Sequence, residues 1–475
     1  MLNHYFVEQF KAFLSFKPTE EQVKAIEKLA HFITSGHRDE VFILRGYAGT
    51  GKTSLIGALV RLLDALEQKV VLMAPTGRAA KVFSQHANHI SHTIHKKIYR
   101  QKRFSGEEGE YTLMENLNKH TLFLVDEASM ISNEGVSRNF FGTGRLLDDL
   151  IQYVYSGEGC RLMLIGDTAQ LPPVGEEYSP ALSQPALEGY GLTVHDMELT
   201  QVVRQLESSG ILFNATQLRH LIANDEGYGL PQVKLNGFAD IRYLPGSELI
   251  EALEQSYAQV GVDETMVICR SNKRATIYNN GIRNRILYRE EELSGGDVVM
   301  IAKNNYFWAE EYKELDFIAN GDIAVVQRVR RERELYGFRF VDAILQFPDY
   351  DDMEIEATIL LDTLQSDSPA LTREQSEHLF ASVMEDYADI PLKKDRIKKL
   401  KSDPYFNALQ VKYAYAITCH KAQGGQWQHI YIDQGYMTED MLTPDYCRWL
   451  YTAFTRATQT LYLVNFPKEQ IKQEM

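Results

Sequence analysis

Cysteine is scarce in this chain: four in 475 residues, at Cys160, Cys269, Cys419 and Cys447, far apart and forming no C-x-x-C pair. That spacing argues against a structural zinc or a disulfide framework and fits a reducing cytosol. Long apolar runs are missing too. Nothing approaches the 18 or so consecutive apolar residues of a spanning helix, and the N-terminus carries no basic segment followed by an apolar core. Membrane insertion and secretion are therefore not expected, and the expected location is cytoplasmic. Internal repeats and low-complexity tracts are absent as well. Positive charge is in deficit, 50 Lys and Arg against 65 Asp and Glu, for a net charge of −15. Such a balance argues against a protein that coats nucleic acid non-specifically. It leaves room for a local basic groove that grips a few phosphates at a time. The remainder, 44% hydrophobic and 24% charged, is ordinary for a globular protein, and 475 residues exceed what one core can organise, so two to four domains are expected.

What is present begins with residues 46 to 53, Gly-Tyr-Ala-Gly-Thr-Gly-Lys-Thr, directly after the apolar run Val41-Phe42-Ile43-Leu44. This is the G-x-x-x-x-G-K-[ST] phosphate loop in the context of strand, glycine turn and helix. Gly46, Gly49 and Gly51 let backbone amides curl around phosphates where a Cβ would collide. The following helix N-terminus adds its dipole. Lys52 brings a point charge, and the Thr53 hydroxyl can ligate Mg²⁺. A nucleoside triphosphate with Mg²⁺ is the expected ligand.

Apolar β-type runs recur at 41–45, 70–74, 121–125 and 161–165, then at 265–269, 411–417, 429–433 and 460–464, with helical patterns between them. Strands alternating with helices imply parallel sheets, and the two clusters imply two α/β units. Residues 97–118 are polar, with Gly106 and Gly109 flanked by Phe104 and Tyr111, and read as a hairpin insertion. Residues 295–361 alternate over short strands with turn glycines, the pattern of a small β-barrel. The basic run Lys393 to Lys401 reads as a solvated helix face.

Leu122 to Glu127 is an apolar strand ending in two carboxylates. In open α/β sheets ligands sit beyond the carboxyl ends of strands, so Asp126 would hold Mg²⁺ and Glu127 would polarise the water that attacks the γ-phosphate. A third strand ends in Gly166-Asp167-Thr168-Ala169-Gln170-Leu171-Pro172-Pro173-Val174. Gln170 there can hydrogen-bond the γ-phosphate or the attacking water, or can belong to an ordinary Pro-containing loop.

With these come Ala74-Pro75-Thr76-Gly77-Arg78-Ala79-Ala80, Thr418-Cys419-His420-Lys421-Ala422-Gln423-Gly424 and Tyr451-Thr452-Ala453-Phe454-Thr455-Arg456-Ala457. In this order the segments resemble a superfamily 1 helicase, and most of all the branch with the RecD helicases and the phage Dda helicase. The segments Gly296-Asp297-Val298-Val299-Met300 and Asn320-Gly321-Asp322 resemble the SH3-like module inserted in that branch. The resemblance runs over residues 18 to 464. It implies an α/β fold with two RecA-like P-loop domains, a β-hairpin insertion in the first and an SH3-like β-barrel insertion in the second. The corresponding boundaries are 1–200 for the first domain, 201–290 and 406–475 for the two segments of the second, and 291–405 for the SH3-like and helical insertion.

The resemblance also implies roles. Gln22 would read adenine through its amide. Arg204 and Arg456 would reach the γ-phosphate from the second domain, where a guanidinium spreads charge over three oxygens. Gln426 stands where many relatives have an acidic residue that accepts from ribose hydroxyls. Pro75, Thr76, His95, Thr418 and His420 match strand-contacting positions, which bind phosphates without reading sequence. His95 can equally be a packed helix-start histidine. Phe104 would stack on the junction base pair, or pack on its own domain. The function this implies is ATP-driven unwinding of DNA, 5′-to-3′ along a single strand. Its partners would be single-stranded and junction DNA, with replication or repair proteins, and no membrane. Two alternatives stay open: an RNA-directed helicase of the same superfamily, and a strand-stimulated ATPase that displaces proteins without opening duplex.

Overall fold

The computed structural model describes residues 2–101, 111–135, 142–203, 208–224, 229–310, 312, 315 and 317–472. Its first sheet is parallel and six-stranded, in the order Ser91–Thr93, Val70–Ala74, Leu122–Val125, Arg161–Gly166, Glu40–Gly46, Thr193–Leu199. The strand Glu40–Gly46 shows why both faces are covered. Phe42 and Leu44 pack with the helices Leu2–Ala12, Glu20–Thr34 and Lys52–Ala65 on one side. Val41 and Ile43 pack with the helix Leu146–Ser156 on the other. Every residue from Glu40 to Leu44 is buried, as a parallel strand between two helical layers requires. The helix Glu20–Thr34 opens with a capping box: Thr19 accepts from the Gln22 amide, and the Gln22 side chain accepts from the Thr19 amide.

The second sheet is also parallel, in the order Ile241–Leu244, Ala457–Val464, Trp427–Asp433, Thr265–Cys269, Ala416–Thr418. Between its strands the chain leaves to form a closed five-stranded barrel of Val298–Ile301, Ile323–Leu335, Phe338–Phe347, Met353–Leu360 and Leu409–Tyr413. The apolar run 411–417 is thus shared by two elements. Leu409–Tyr413 closes the barrel and Ala416–Thr418 joins the sheet. Asp297, fully buried, ties barrel to sheet: it pairs with Arg283 at 2.9 Å and Arg289 at 2.7 Å and accepts from the Tyr415 hydroxyl at 2.8 Å. The helix Lys393–Lys401 buries only Leu400 and leaves most of its basic run in solvent.

In the 97–118 segment, Ile94–Ile98 is helical and Tyr99–Gln101 pairs antiparallel with Tyr111–Leu113, the stem of a hairpin. Its tip, with Phe104, lies outside the described residues, as does Arg204. No described helix is long and apolar enough to cross a membrane. The four cysteines are all free and buried.

Candidate active site

The carboxyl ends of Leu122–Val125, Arg161–Gly166 and Glu40–Gly46 lie side by side, so the loops that follow them converge. In the first, Gly49 and Gly51 take φ of +78° and +84°. A Cβ on Gly51 would stand 2.6 Å from Gln22 Nε2, and one on Gly46 would stand 2.9 Å from Lys52 Cγ. Left-handed backbone and lack of room both demand glycine here. Gly51 gives the helix Lys52–Ala65 no side-chain cap, so its first amides remain donors for an anion. Lys52 Nζ donates to the Gly46 and Tyr47 carbonyls and is held over the loop. An uncapped helix start, a lysine on the loop and a cradle too small for any Cβ fit a triphosphate.

In the second loop, Asp126 Oδ1 accepts from the Glu127 amide at 2.9 Å, and Glu127 itself is left-handed at φ +52°. That conformation costs a non-glycine residue energy and is typical of functional turns. Burial, with the Glu127 carboxylate beside it, pushes the Asp126 carboxyl up to about 7, against the opposing pull of Lys52. Among the described residues no three His, Cys, Asp or Glu side chains gather to hold a metal. One hydroxyl, Thr53, and one carboxylate, Asp126, instead fit Mg²⁺, an ion that keeps waters and borrows phosphate oxygens. In the third loop Gln170 is buried, and among the described residues its Oε1 has no hydrogen-bond partner. An orphaned buried acceptor is costly without a ligand or water to meet it.

Gln22 reaches this site, but its amide is engaged. Nε2 donates to the Thr50 carbonyl at 3.1 Å and Oε1 accepts from the Thr19 amide at 3.0 Å, with the side chain fully buried. Here it braces the phosphate loop from below. Its neighbour Glu21 accepts from the Thr200 and Gln201 amides, both at 2.8 Å, and from the Thr200 hydroxyl at 2.6 Å. These bonds hold the carboxyl below the usual range although burial works against them.

The second sheet faces this site through the helix Pro444–Phe454 and the segment after it. Arg456 is buried. Its Nε donates to the Thr452 carbonyl, Nη1 to the Gly425 carbonyl and Nη2 to the Thr455 hydroxyl, each at 3.2 Å. Nη1 also lies 3.9 Å from Glu127 Oε1. A cation from one sheet therefore meets the carboxylate at the end of the other. Gln423 Nε2 donates to the Leu171 carbonyl at 2.8 Å, and Thr452 Oγ1 accepts from the Leu171 amide at 2.9 Å. Gln426 is exposed, and its carbonyl accepts from Arg78 at 2.9 Å.

The residues matched to strand contact form two groups. Pro75 and Thr76 follow the strand Val70–Ala74, where Thr76 Oγ1 caps the helix Gly77–Ala87 by accepting from Ala79. Thr418 begins the short helix Cys419–Ala422, and His420 on it is exposed. The two groups are neighbours, since a Cβ on Gly424 would stand 3.3 Å from Thr76 Oγ1. His95 is instead packed between the rings of Tyr99 and Phe317, at 5.7 and 6.3 Å, and burial pushes its imidazole down to about 4. The barrel leans on the same region. The Tyr350 hydroxyl donates to buried Asp322 at 2.9 Å directly over Gly77, and Lys81 donates to the Pro348 carbonyl. Sequence reasoning gives no role to Tyr350, Asp322 or Tyr451. Asp322 and Tyr451 have a visible signal, each standing in a segment that carries the family resemblance, and Tyr350 has none.

Two family models match the chain, an AAA domain over residues 17–226 and a UvrD-like helicase C-terminal domain over 413–464. The ATP-dependent RecD2 DNA helicase of Deinococcus radiodurans is 28% identical over 298 residues, 61% of this chain and 36% of that protein. The chain is also 23% identical to the uncharacterized protein R530 of Acanthamoeba polyphaga mimivirus, over 93% of its own length and 98% of that protein's. It thus spans nearly all of the viral relative but only about a third of RecD2. Among solved structures, Pif1 helicase from Bacteroides bound to single-stranded DNA is similar over 97% of this chain and 95% of that one, at 17% identity and a TM-score of 0.47.

Proposed function

We propose that this chain is a superfamily 1 helicase of the RecD type, an ATP-driven motor that moves 5′-to-3′ on single-stranded DNA and separates duplex ahead of it. The observation that carries the reading is the meeting of Glu127 and Arg456 across two sheets, 3.9 Å apart, beside a phosphate loop. Amides of residues 46–53 and the Lys52 ammonium hold the phosphates. Thr53 and Asp126 would hold Mg²⁺, which when bound offsets charge on the β- and γ-phosphates. Glu127 orients the attacking water and takes its proton, and Gln170 bonds either that water or the γ-phosphate. Arg456, with Arg204, neutralises the oxygens of the transferring group. Because these groups come from both sheets, turnover requires the sheets to be closed and its products release them.

Pro75 and Thr76 on the first sheet and Thr418 and His420 on the second would then grip the strand alternately through its phosphates. Single-stranded and junction DNA are the substrates in this reading, presented by replication or repair proteins in the cytosol. Duplexes with a 5′ or a 3′ single-stranded tail, made in DNA and in RNA, decide between this and its alternatives. ATP-dependent displacement of the 5′-tailed DNA strand is expected. Displacement only from RNA would favour an RNA-directed enzyme, and ATPase without displacement of any strand would favour a motor that strips proteins.

A further inference from the structure

We infer that Tyr451 is a positioning residue, whose single hydroxyl ties the phosphate loop and the Gln170 loop of the first sheet to the Arg456-bearing segment of the second. This rests on the proposed ATP cleft and adds to it the part that makes closure and loop shape one event.

Tyr451 lies on the helix Pro444–Phe454 and is 1% exposed. A phenolic hydroxyl can donate one hydrogen bond and accept others. Here it donates to Asp167 Oδ2 at 2.6 Å and accepts from the Ala48 amide at 2.9 Å. Both partners belong to the other domain, and they sit on different loops. Ala48 is the third residue of the phosphate loop. Asp167 opens the segment leading to Gln170, and its Oδ1 accepts from the Ala169 amide at 2.9 Å, which fixes that turn. Asp167 is itself 1% exposed, so the bond from Tyr451 runs to a carboxylate out of water and is of the strong, charge-assisted kind.

The position along the chain matters as much as the bonds. Four residues separate Tyr451 from Arg456, and the helix ends at Phe454 between them. Next to Tyr451, Thr452 takes the Leu171 amide at 2.9 Å and gives its own carbonyl to Arg456 Nε at 3.2 Å. Arg448, one helical turn earlier, donates to the Thr168 carbonyl at 2.5 Å. Residues 167–171 are thus gripped along their length by one helix, and that helix leads into the arginine. Tyr451 extends the grip to the loop that holds phosphate. A change of loop shape at Ala48 therefore pulls on the segment that aims Arg456 at Glu127. The hydroxyl is the part of Tyr451 that does this; the ring only fills the space between domains.

Tyr451→Phe keeps the ring and removes both bonds. The expected result is a fall in single-strand-stimulated kcat of about 10- to 100-fold, the range for losing a hydrogen bond to a charged group. KM for ATP and binding of a non-hydrolysable analogue should change little, while the melting temperature falls by only a few degrees as Asp167 and the Ala48 amide lose a partner. Asp167→Asn tests the same link from the other end. If the two residues act through one bond, the double variant should be no slower than the slower single variant. Native kcat in Tyr451→Phe, or a loss of analogue binding that tracks a lowered melting temperature, would overturn the inference. Losses in the two variants that multiply in the double would overturn it also. Failure of the underlying reading looks different: the native protein would not hydrolyse ATP, or folded Lys52→Ala would hydrolyse it normally, and the role of Tyr451 would fall with it.

Discussion

Glu127→Gln should bind ATP as the native protein does and hydrolyse it about 10²–10⁴-fold more slowly, the usual contribution of a positioned general base. The amide keeps the shape of the side chain and cannot take a proton. The left-handed backbone at Glu127 is set by the turn after the strand Leu122–Val125, and Asp126 Oδ1 still accepts the amide of residue 127. Arg456 loses a charged neighbour at 3.9 Å but retains its bonds to Thr452, Gly425 and Thr455. The site should therefore stay assembled while the chemical step stalls. Asp126→Asn should behave in the opposite way and weaken Mg²⁺-dependent nucleotide binding, because the role proposed for that carboxylate is to hold the ion. Titrating a fluorescent ATP analogue with and without Mg²⁺, alongside steady-state turnover, separates the two. The assignment is reversed if Glu127→Gln loses binding and Asp126→Asn keeps it.

Arg456→Lys should lower kcat by about 10³-fold or more, as removal of an arginine finger does, while ATP affinity moves far less. Charge is conserved in this substitution, so a purely coulombic role would survive it. What is lost is the planar fork. Arg456 spends separate N–H groups on three oxygens of its own domain and turns Nη1 toward Glu127. A lysine ammonium on a flexible stem cannot hold that frame and still face the phosphates. Native turnover in Arg456→Lys would mean that the cation serves only as a counter-charge to Glu127.

Much of this site is legible in the amino-acid sequence, because each part is local. A phosphate loop needs only an apolar strand, glycines at fixed places and a helix start, and residues 41–65 present them in order. The carboxylates at 126 and 127 and the loop at 166–174 follow apolar runs of strand length, so their place at the carboxyl edge is also local information. What the chain hides is non-local. The run 411–417 carries no turn signal, and an apolar run cannot say which sheet each half will pair with. The structure gives one half to the barrel and the other to the second sheet.

Gln22 teaches the same lesson in reverse. The pattern Thr19-Glu20-Glu21-Gln22 is itself a capping box, visible in sequence. The family resemblance directs the glutamine to adenine, whereas both ends of its amide are engaged by Thr19 and Thr50. For His95 the sequence allows two roles, and the structure surrounds it with Tyr99 and Phe317. Phe317 belongs to the barrel insertion, more than 200 positions away, which no local pattern could bring to it. Tyr451 is in plain view within its segment, but a tyrosine on a buried helix face says only that its hydroxyl needs partners. That they are Ala48 and Asp167, on two loops of another domain, is a fact of the fold.

The most direct measurement of the central claim is ATP hydrolysis with and without a single-stranded DNA oligonucleotide, by the native protein and by Lys52→Ala. If the cleft between the sheets is the motor, the oligonucleotide should raise native turnover several-fold, and folded Lys52→Ala should show no turnover in either condition. Turnover indifferent to the oligonucleotide, or preserved in a folded Lys52→Ala protein, would contradict the account.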